Sequence, residues 1–368
     1  MLAPPKSPAE VGVPTGPRPD LLIRWLYAVA ALIVTMVIVG GITRLTESGL
    51  SITEWRPVTG ALPPLNAADW QREFDLYRQT TEYQTVNRGM SMADFQFIYF
   101  WEWFHRFLAR LVGLAFAAPL AFFAWKRMIP VGFGWRLVGL LALGGLQGVV
   151  GWWMVASGLV GRTDVSHYRL AVHLNLALLI LGLVIWTARD LAQLVRDPLA
   201  RPRQLTRSGL IVLAIFAVQL VWGAFVAGLN AGYAFSSWPL MGEEFFPANT
   251  VWSAPWLSNL VDNPIVVQFI HRWWAFVAVA ALIWLGLKAI RSGGRRPGAM
   301  LHALVVVQVL LGIATLLSGM ALWVAVAHQG VAALLVIAAA MCAHVIAMPA
   351  SRAETAVAGR VAGLATAE

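Results

Sequence analysis

Residues 97–124 read FIYFWEWFHRFLARLVGLAFAAPLAFFA, an apolar run interrupted by Glu102, His105, Arg106 and Arg110. A helix needs ~20 such residues to cross the hydrocarbon core of a bilayer. The run shows no strand-like alternation, and backbone groups in lipid must be satisfied within the segment, so it predicts a membrane-spanning helix. Comparable runs lie at 22–43, 136–157, 168–189, 207–228, 265–288, 299–319 and 321–347. The last two are separated only by the turn residues Ser318, Gly319 and Met320, which leaves a seven-span reading beside the eight-span one.

The composition agrees with a lipid-embedded chain. Hydrophobic residues fill 59% of the 368 positions and charged residues 12%. The expected fold class is all-α integral membrane, with eight transmembrane helices arranged as two pseudo-symmetric four-helix bundles. A β-barrel is excluded by the length of the runs. Cys342, the one cysteine, lies inside an apolar run, so neither a disulfide framework nor a cysteine metal site can form within the chain. Residues 1–21 carry Pro4, Pro5, Pro8, Pro14, Pro17 and Pro19 and no apolar core, which predicts a disordered arm rather than a signal peptide.

Basic residues outnumber acidic ones, 27 to 18. Alternate assignment of the connections places 17 of the 27 on the side of the termini, among them Lys126, Arg127, Arg196, Arg201, Arg203, Arg291, Arg295 and Arg296. The other side holds Arg44, Arg56, Arg72, Arg78, Arg88, Arg162 and Arg169. The positive-inside rule then predicts that both termini are cytoplasmic. The charge excess thus reports topology, and no nucleic-acid partner is expected.

The two halves echo each other. Gly40, Gly49 and Trp55 recur as Gly223, Gly232 and Trp238 at an offset of 183, and Pro57 finds a counterpart in Pro239. His105-Arg106 matches His271-Arg272, Gln147 and Gly151 match Gln308 and Gly312, and His173 matches His328. Four spans restore the starting orientation, so the repeat is parallel and each half should be an up-down-up-down bundle. The expected divisions are a cytoplasmic arm at 1–21, a first bundle at 22–189, a linker at 190–206, a second bundle at 207–347 and a cytoplasmic tail at 348–368. Two connections are long, 44–96 and 229–264. In the first, Trp70, Phe74 and Tyr77 share a helical face, which predicts a short amphipathic helix that either packs the bundle top or gates a site.

Four histidines occupy equivalent places near one end of same-direction spans, His105 with His173 and His271 with His328. A lone histidine in an apolar span is most simply a packing residue or proton relay. Two matched pairs at matched depth, surrounded by Trp, Phe and Gly, point instead to both axial ligands of one haem iron in each half. His167, His302 and His344 have no such counterparts and read as packing residues. Arg106 and Arg272 need anions. A haem propionate, a headgroup or, for Arg106, Glu102 can supply one. Glu102 stands three residues before His105, on the same helical face, whereas the second half carries Gln268 there. A carboxylate beside one site and an amide beside the other suggest proton-coupled chemistry in the first half and electron transfer in the second. A glutamate simply neutralised by Arg106 is the structural alternative.

The segments Glu102-Trp103-Phe104-His105-Arg106 and Gly40-Gly41-Ile42-Thr43-Arg44-Leu45-Thr46-Glu47-Ser48-Gly49-Leu50-Ser51 resemble the heme A synthase family. The likeness continues through Glu54-Trp55-Arg56-Pro57-Val58-Thr59-Gly60, His271-Arg272 and His328-Gln329-Gly330. The resemblance implies oxidation of the C8 methyl of haem O to a formyl group, giving haem A for cytochrome oxidase, with water supplying the oxygen. It also implies that His105 and His173 bind the substrate haem iron, that Glu102 is the catalytic carboxylate, and that His271 and His328 hold a haem b cofactor. Arg106 and Arg272, which need anions, are the residues expected to meet the propionates of the substrate haem and of haem b. Implied partners are haem O, the farnesylating haem O synthase that makes it, and cytochrome oxidase during assembly; self-association is left open. Some members carry a cysteine pair in the first long loop. This chain lacks it and so resembles the proteobacterial and mitochondrial form. The basic loops and the absence of a transit-like N-terminus favour a bacterial inner membrane. A non-catalytic dihaem b cytochrome and a haem transporter or chaperone are the competing readings.

Overall fold

The computed structural model describes residues 19–349 apart from 55, 57, 58 and 160. The proline-rich arm up to Arg18, most of the tail, and Trp55 and Pro57 of the repeat lie outside the described residues.

Eight helices among the described residues are long and apolar enough to cross a membrane. In chain order, α1 is Asp20–Leu45, α2 Ala67–Tyr77, α3 Thr81–Thr85, α4 Met92–Trp125, α5 Gly134–Ala156, α6 His167–Arg196, α7 Arg207–Gly228, α8 Asn259–Asp262, α9 Pro264–Arg291, α10 Arg295–Leu317 and α11 Leu322–Val345. All but α2, α3 and α8 are spanning. The seven-span reading fails at residues 318–321. Gly319 and Met320 take left-handed backbone there, φ 63° and 67°, and this reverses the chain between α10 and α11.

Lipid-facing surfaces are apolar, as a bilayer requires. Helix α5 exposes Trp135, Val138, Leu146, Val149, Trp152 and Trp153 along its length. Buried side chains of α1, α4, α5 and α6, joined by Ala333 and Ala340 of α11, form one core, which includes Leu22, Leu26, Phe116, Leu137, Leu181 and Ile185. A second core gathers Val212, Phe216, Leu282, Leu285, Leu301 and Leu335 from α7, α9, α10 and α11. In the first half α1 packs on α4 and α6, and α5 on α4 and α6. In the second, α7 packs on α9, α10 on α9 and α11, and α9 on α11. Across the halves α1 meets α11, α6 meets α7, and α6 meets α11. Exchanging one half for the other maps this set of cross-contacts onto itself.

Polar contacts cross that seam as well: His344 of α11 meets Asp190 of α6 at 2.8 Å, Tyr168 of α6 donates to Asp262 of α8 at 2.7 Å, and Arg44 of α1 donates to Asn230 at 2.9 Å. Gln329 on α11 donates to the Val37 carbonyl of α1 at 2.7 Å, its amide lying against Gly41. At the seam's other side Leu174, the residue after His173, packs with Ala171, Ala224 and Phe225.

The predicted amphipathic helix is α2, capped by Asn66, whose side chain accepts from the Asp69 N–H. Phe74 stacks on Phe95 at 4.8 Å, and Trp70 meets Tyr99 edge-on. These rings clamp α2 onto the first turns of α4. Tyr77 donates to Glu82 at 3.0 Å and accepts from Asn87 at 2.7 Å, closing the cap over α3.

Helix α6 runs past the expected boundary at 189 to Arg196, so the linker begins as helix. Its added turns are secured by Asp190, which accepts from Arg136 at 2.6 Å and from the Arg203 N–H at 3.0 Å, and which meets His344 at 2.8 Å. Beyond α6, strand β1 (Arg203–Gln204) pairs antiparallel with β2 (Met348–Pro349), tying the linker to the end of the last helix.

Candidate functional site

Each histidine of the two pairs is seated against a glycine on the preceding spanning helix. An alanine Cβ placed at Gly40 would lie 2.9 Å from the Cε1 of His105. The same construction at Gly151 meets His173 at 2.9 Å, at Gly223 meets His271 at 3.0 Å, and at Gly312 meets His328 at 3.0 Å. A side chain there would crowd the ring, so glycine permits the close approach of helix and imidazole. The four rings are half-buried. His105 and His173 lie within electrostatic reach of each other, as do His271 and His328. Among the described residues no three His, Cys, Asp or Glu side chains converge as a ligand set for a bare metal ion. The two half-buried imidazoles of each half are the residues that could hold a haem iron.

One turn before three of these glycines stands a glutamine. Gln147 Nε2 donates to the His173 carbonyl at 3.0 Å and lies 3.2 Å from its Nδ1. Gln219 makes the same pair of contacts with His271, both at 3.1 Å. Gln308 lies 3.4 Å from the Nε2 of His328. Gln147 and Gln308 were visible as repeat markers, but their contact with the imidazoles was not, and Gln219 carries no sequence signal beyond standing four residues before Gly223.

Glu102 is 3% exposed. Its Oε2 accepts from Ser51 Oγ and from the Ile52 N–H, each at 2.7 Å, and its Oε1 accepts from Arg106 at 2.6 Å. Arg106 also donates to the carbonyls of Ile52 at 3.1 Å and Glu54 at 3.4 Å. Carboxylate and guanidinium on successive turns of α4 therefore pin the chain that leaves α1. Of the anions open to Arg106, the structure supplies Glu102. Cavities of about 210 Å³ and about 80 Å³ adjoin this group; the larger is lined by Ile52, Tyr99, Arg106 and Arg110, the smaller by Ile52, Arg106, Trp152 and Val155.

In the second half Gln268 is 1% exposed and donates to the Phe235 carbonyl at 3.0 Å. Arg272 donates to the carbonyls of Ser237 at 2.9 Å, Leu240 at 3.2 Å and Phe235 at 2.9 Å. Backbone oxygens thus do for Arg272 what Glu102 and two carbonyls do for Arg106.

The remaining histidines are packed. His302 meets the Ile283 carbonyl at 3.0 Å, His344 meets Asp190, and His167, expected in a loop, opens α6 and lies 3.2 Å from Asp262. Cys342 is fully buried in α11.

Residues 23–340 match the family model described as Cytochrome oxidase assembly protein, the COX15-CtaA family. The chain is 56% identical over 339 residues to the heme A synthase of Sphingopyxis alaskensis, covering 92% of this chain and 95% of that protein. It is 52% identical over 344 residues to the heme A synthase of Rhizorhabdus wittichii, covering 94% and 97%. It is 47% identical over 320 residues to that of Agrobacterium fabrum, covering 86% and 87%. With a family model spanning most of its length and relatives of this identity aligned nearly end to end, the chain belongs to the COX15-CtaA family of cytochrome oxidase assembly proteins.

Proposed function

We propose that this chain is a heme A synthase that oxidises the C8 methyl of haem O to a formyl group. The observation that carries the reading beyond the relatives' names is the chemical asymmetry between two similar sites, a buried carboxylate beside His105 and a buried amide beside His271. His105 and His173 bind the substrate haem iron; His271 and His328 hold haem b. The resident haem, when bound, supplies a one-electron carrier. Converting a methyl and a water to a formyl group releases four protons and four electrons, so the substrate side needs a group that can accept protons and pass them on. Glu102 is that group. Its carboxylate is held by three donors, so protonation at one oxygen displaces the Arg106 or Ser51 contact rather than the side chain itself. Arg106 and Arg272 hold their loops over the two sites and offer positive charge to a propionate.

In the architecture that accompanies this reading, α1, α4, α5 and α6 form the substrate bundle, and α7, α9, α10 and α11 form the haem b bundle. They lie in a bacterial inner membrane with both termini cytoplasmic, the linker and tail on that side. The product serves cytochrome oxidase assembly, and haem O arrives from a farnesylating synthase in the same membrane.

Glu102→Gln gives the first half the second half's amide. In cells that make haem O, pigment extraction and chromatography should show haem A reduced by ~10²-fold or more, the range for removing a general base, with haem b retained in the purified protein. Unchanged haem A would remove Glu102 from catalysis, and haem b alone in wild-type protein supplied with haem O would favour an electron-transfer cytochrome.

A further inference from the structure

The four histidine hairpins share one plan and depart from it at one position. Glycine seats the ring in all four, and the residue one turn earlier on the same helix is Gln147, Gln219 or Gln308 in three. In the remaining hairpin, α1 with α4, it is Met36, half-buried, four residues before Gly40. His105 Nδ1 is buried and, among the described residues, has no hydrogen-bond partner. A thioether is a weak acceptor and donates nothing, whereas an amide can offer an imidazole either its oxygen or its nitrogen. The Nδ1 of His328 also lacks a partner, but Gln308 stands beside that ring and reaches its other nitrogen at 3.4 Å. The His105 hairpin has no amide at that position, which Met36 occupies.

We infer that Met36 makes His105 the exchangeable ligand of the substrate haem. An imidazole that binds iron through one nitrogen carries a proton on the other. A partner for that N–H fixes the ring's orientation and raises its basicity. His173, His271 and His328 each have an amide in place; His105 has only the glycine seat. The distribution suits the traffic at the two sites. Haem b must stay, and both of its histidines stand beside glutamines. A substrate must enter and its product leave, and of the first pair only His173 is held, so His105 lets go while His173 keeps its place. Met36 is a positioning residue, acting through His105, and the inference rests on the reading that His105 and His173 bind haem O.

The test uses purified full-length protein loaded with haem O, with excess apomyoglobin as haem scavenger. Release of haem O and of haem b is followed separately by chromatography, and the ferric low-spin spectrum is recorded beside it. Met36→Gln should slow haem O release several-fold, the effect of one hydrogen bond worth ~0.5–1.5 kcal/mol, and shift the low-spin signal of that site while leaving haem b release unchanged. Gln219→Met should speed haem b release by a similar factor and leave haem O release unchanged. Unaltered haem O release and spectrum in Met36→Gln would overturn the inference, as would equal slowing by Met36→Leu, which supplies bulk without a hydrogen bond. Should Met36→Gln fail to fold, Gln147→Met replaces it: faster haem O release supports the role of the amide, and an unchanged rate overturns it. Failure of the underlying reading looks different, since His105→Ala would then bind haem O with an unaltered ferric spectrum.

Discussion

Beside His105 the protein buries an acid, and its arginine is answered by that acid; beside His271 it buries an amide, and its arginine is answered by three loop carbonyls. The loops differ in kind as well. The connection over the first site carries the ion pairs Arg56–Glu54, Arg56–Glu73 and Arg72–Asp69. Over the second, Trp238 stacks on Trp273, Phe245 packs on Phe269, and Trp252 on Trp256. Helix α4 has Arg110 where α9 has Phe276, five residues after the matching histidines. One scaffold therefore carries an ion-paired loop over one site and an aromatic-rich loop over the other. On the proposed reading, the common parts, glycine seat and histidine, would place a haem, and the parts that differ would decide its chemistry.

The largest effect should come from the histidines themselves. His271→Ala should abolish haem b in the purified protein, whereas His105→Ala should leave haem b at wild-type content; haem b surviving in the first variant would erase the distinction between the sites. The arginines come next. Arg106→Met strands Glu102 as a buried unpaired carboxylate, a change that costs ~3–5 kcal/mol, while Arg272→Met leaves carbonyls short of donors at ~1–3 kcal/mol. Denaturation in detergent should rank them in that order, and equal losses would mean that Glu102 is held neutral. A smaller difference is expected at the seam, where Gln329→Leu copies Leu174. Losing an interhelical hydrogen bond in lipid costs ~0.6 kcal/mol, and a variant as stable as wild type would show that the amide adds nothing to docking of the halves.

The subtlest difference is confined to the cap over the first site. Burial raises the Glu82 carboxyl from 4.5 to about 8. The folded cap thus keeps a proton that the unfolded segment gives up, so its stability is complete below pH 4.5 and declines as pH rises toward 8. Amide exchange across residues 67–91 should quicken through that window, after correction for intrinsic rates, and Glu82→Gln should flatten the trend. A trend that persists in the variant would assign it to another group.

The spanning helices were legible because lipid imposes a length and a polarity that hydropathy reads directly, and Ser318-Gly319-Met320 announced the reversal before α11. The end of α6 was not legible. Arg189, Asp190, Gln193 and Arg196 close the apolar run, yet the helix continues because Asp190 finds Arg136, Arg203 and His344, and Arg203 reaches Gln193 at 2.9 Å. Such partners are distant in sequence and follow no period. The four ring positions and Glu102 could be named from spacing alone. Among the partners open to Arg106, one was a turn away on its own helix, which is why it could be listed beforehand. The carbonyls that satisfy Arg272 belong to an aperiodic loop whose path no pattern foretells. The glutamines fell between these cases, marked by their spacing to glycine but silent about the ring they touch.

The Asp190 cluster also bears on how the chain is made. Asp190 enters the membrane with the fourth span, and Arg136, already synthesised on the third, is there to meet it. His344 follows 154 residues later, and β2 later still. Until then the carboxylate has one of its side-chain partners and an open flank, and the first half carries an unfinished surface along α1 and α6. Arrival of α11 fills the flank and brings β2 to β1, joining the segment after α11 to the linker. A chain truncated within α11 would therefore present the cell's quality-control proteases with an uncovered acid at the seam between its halves.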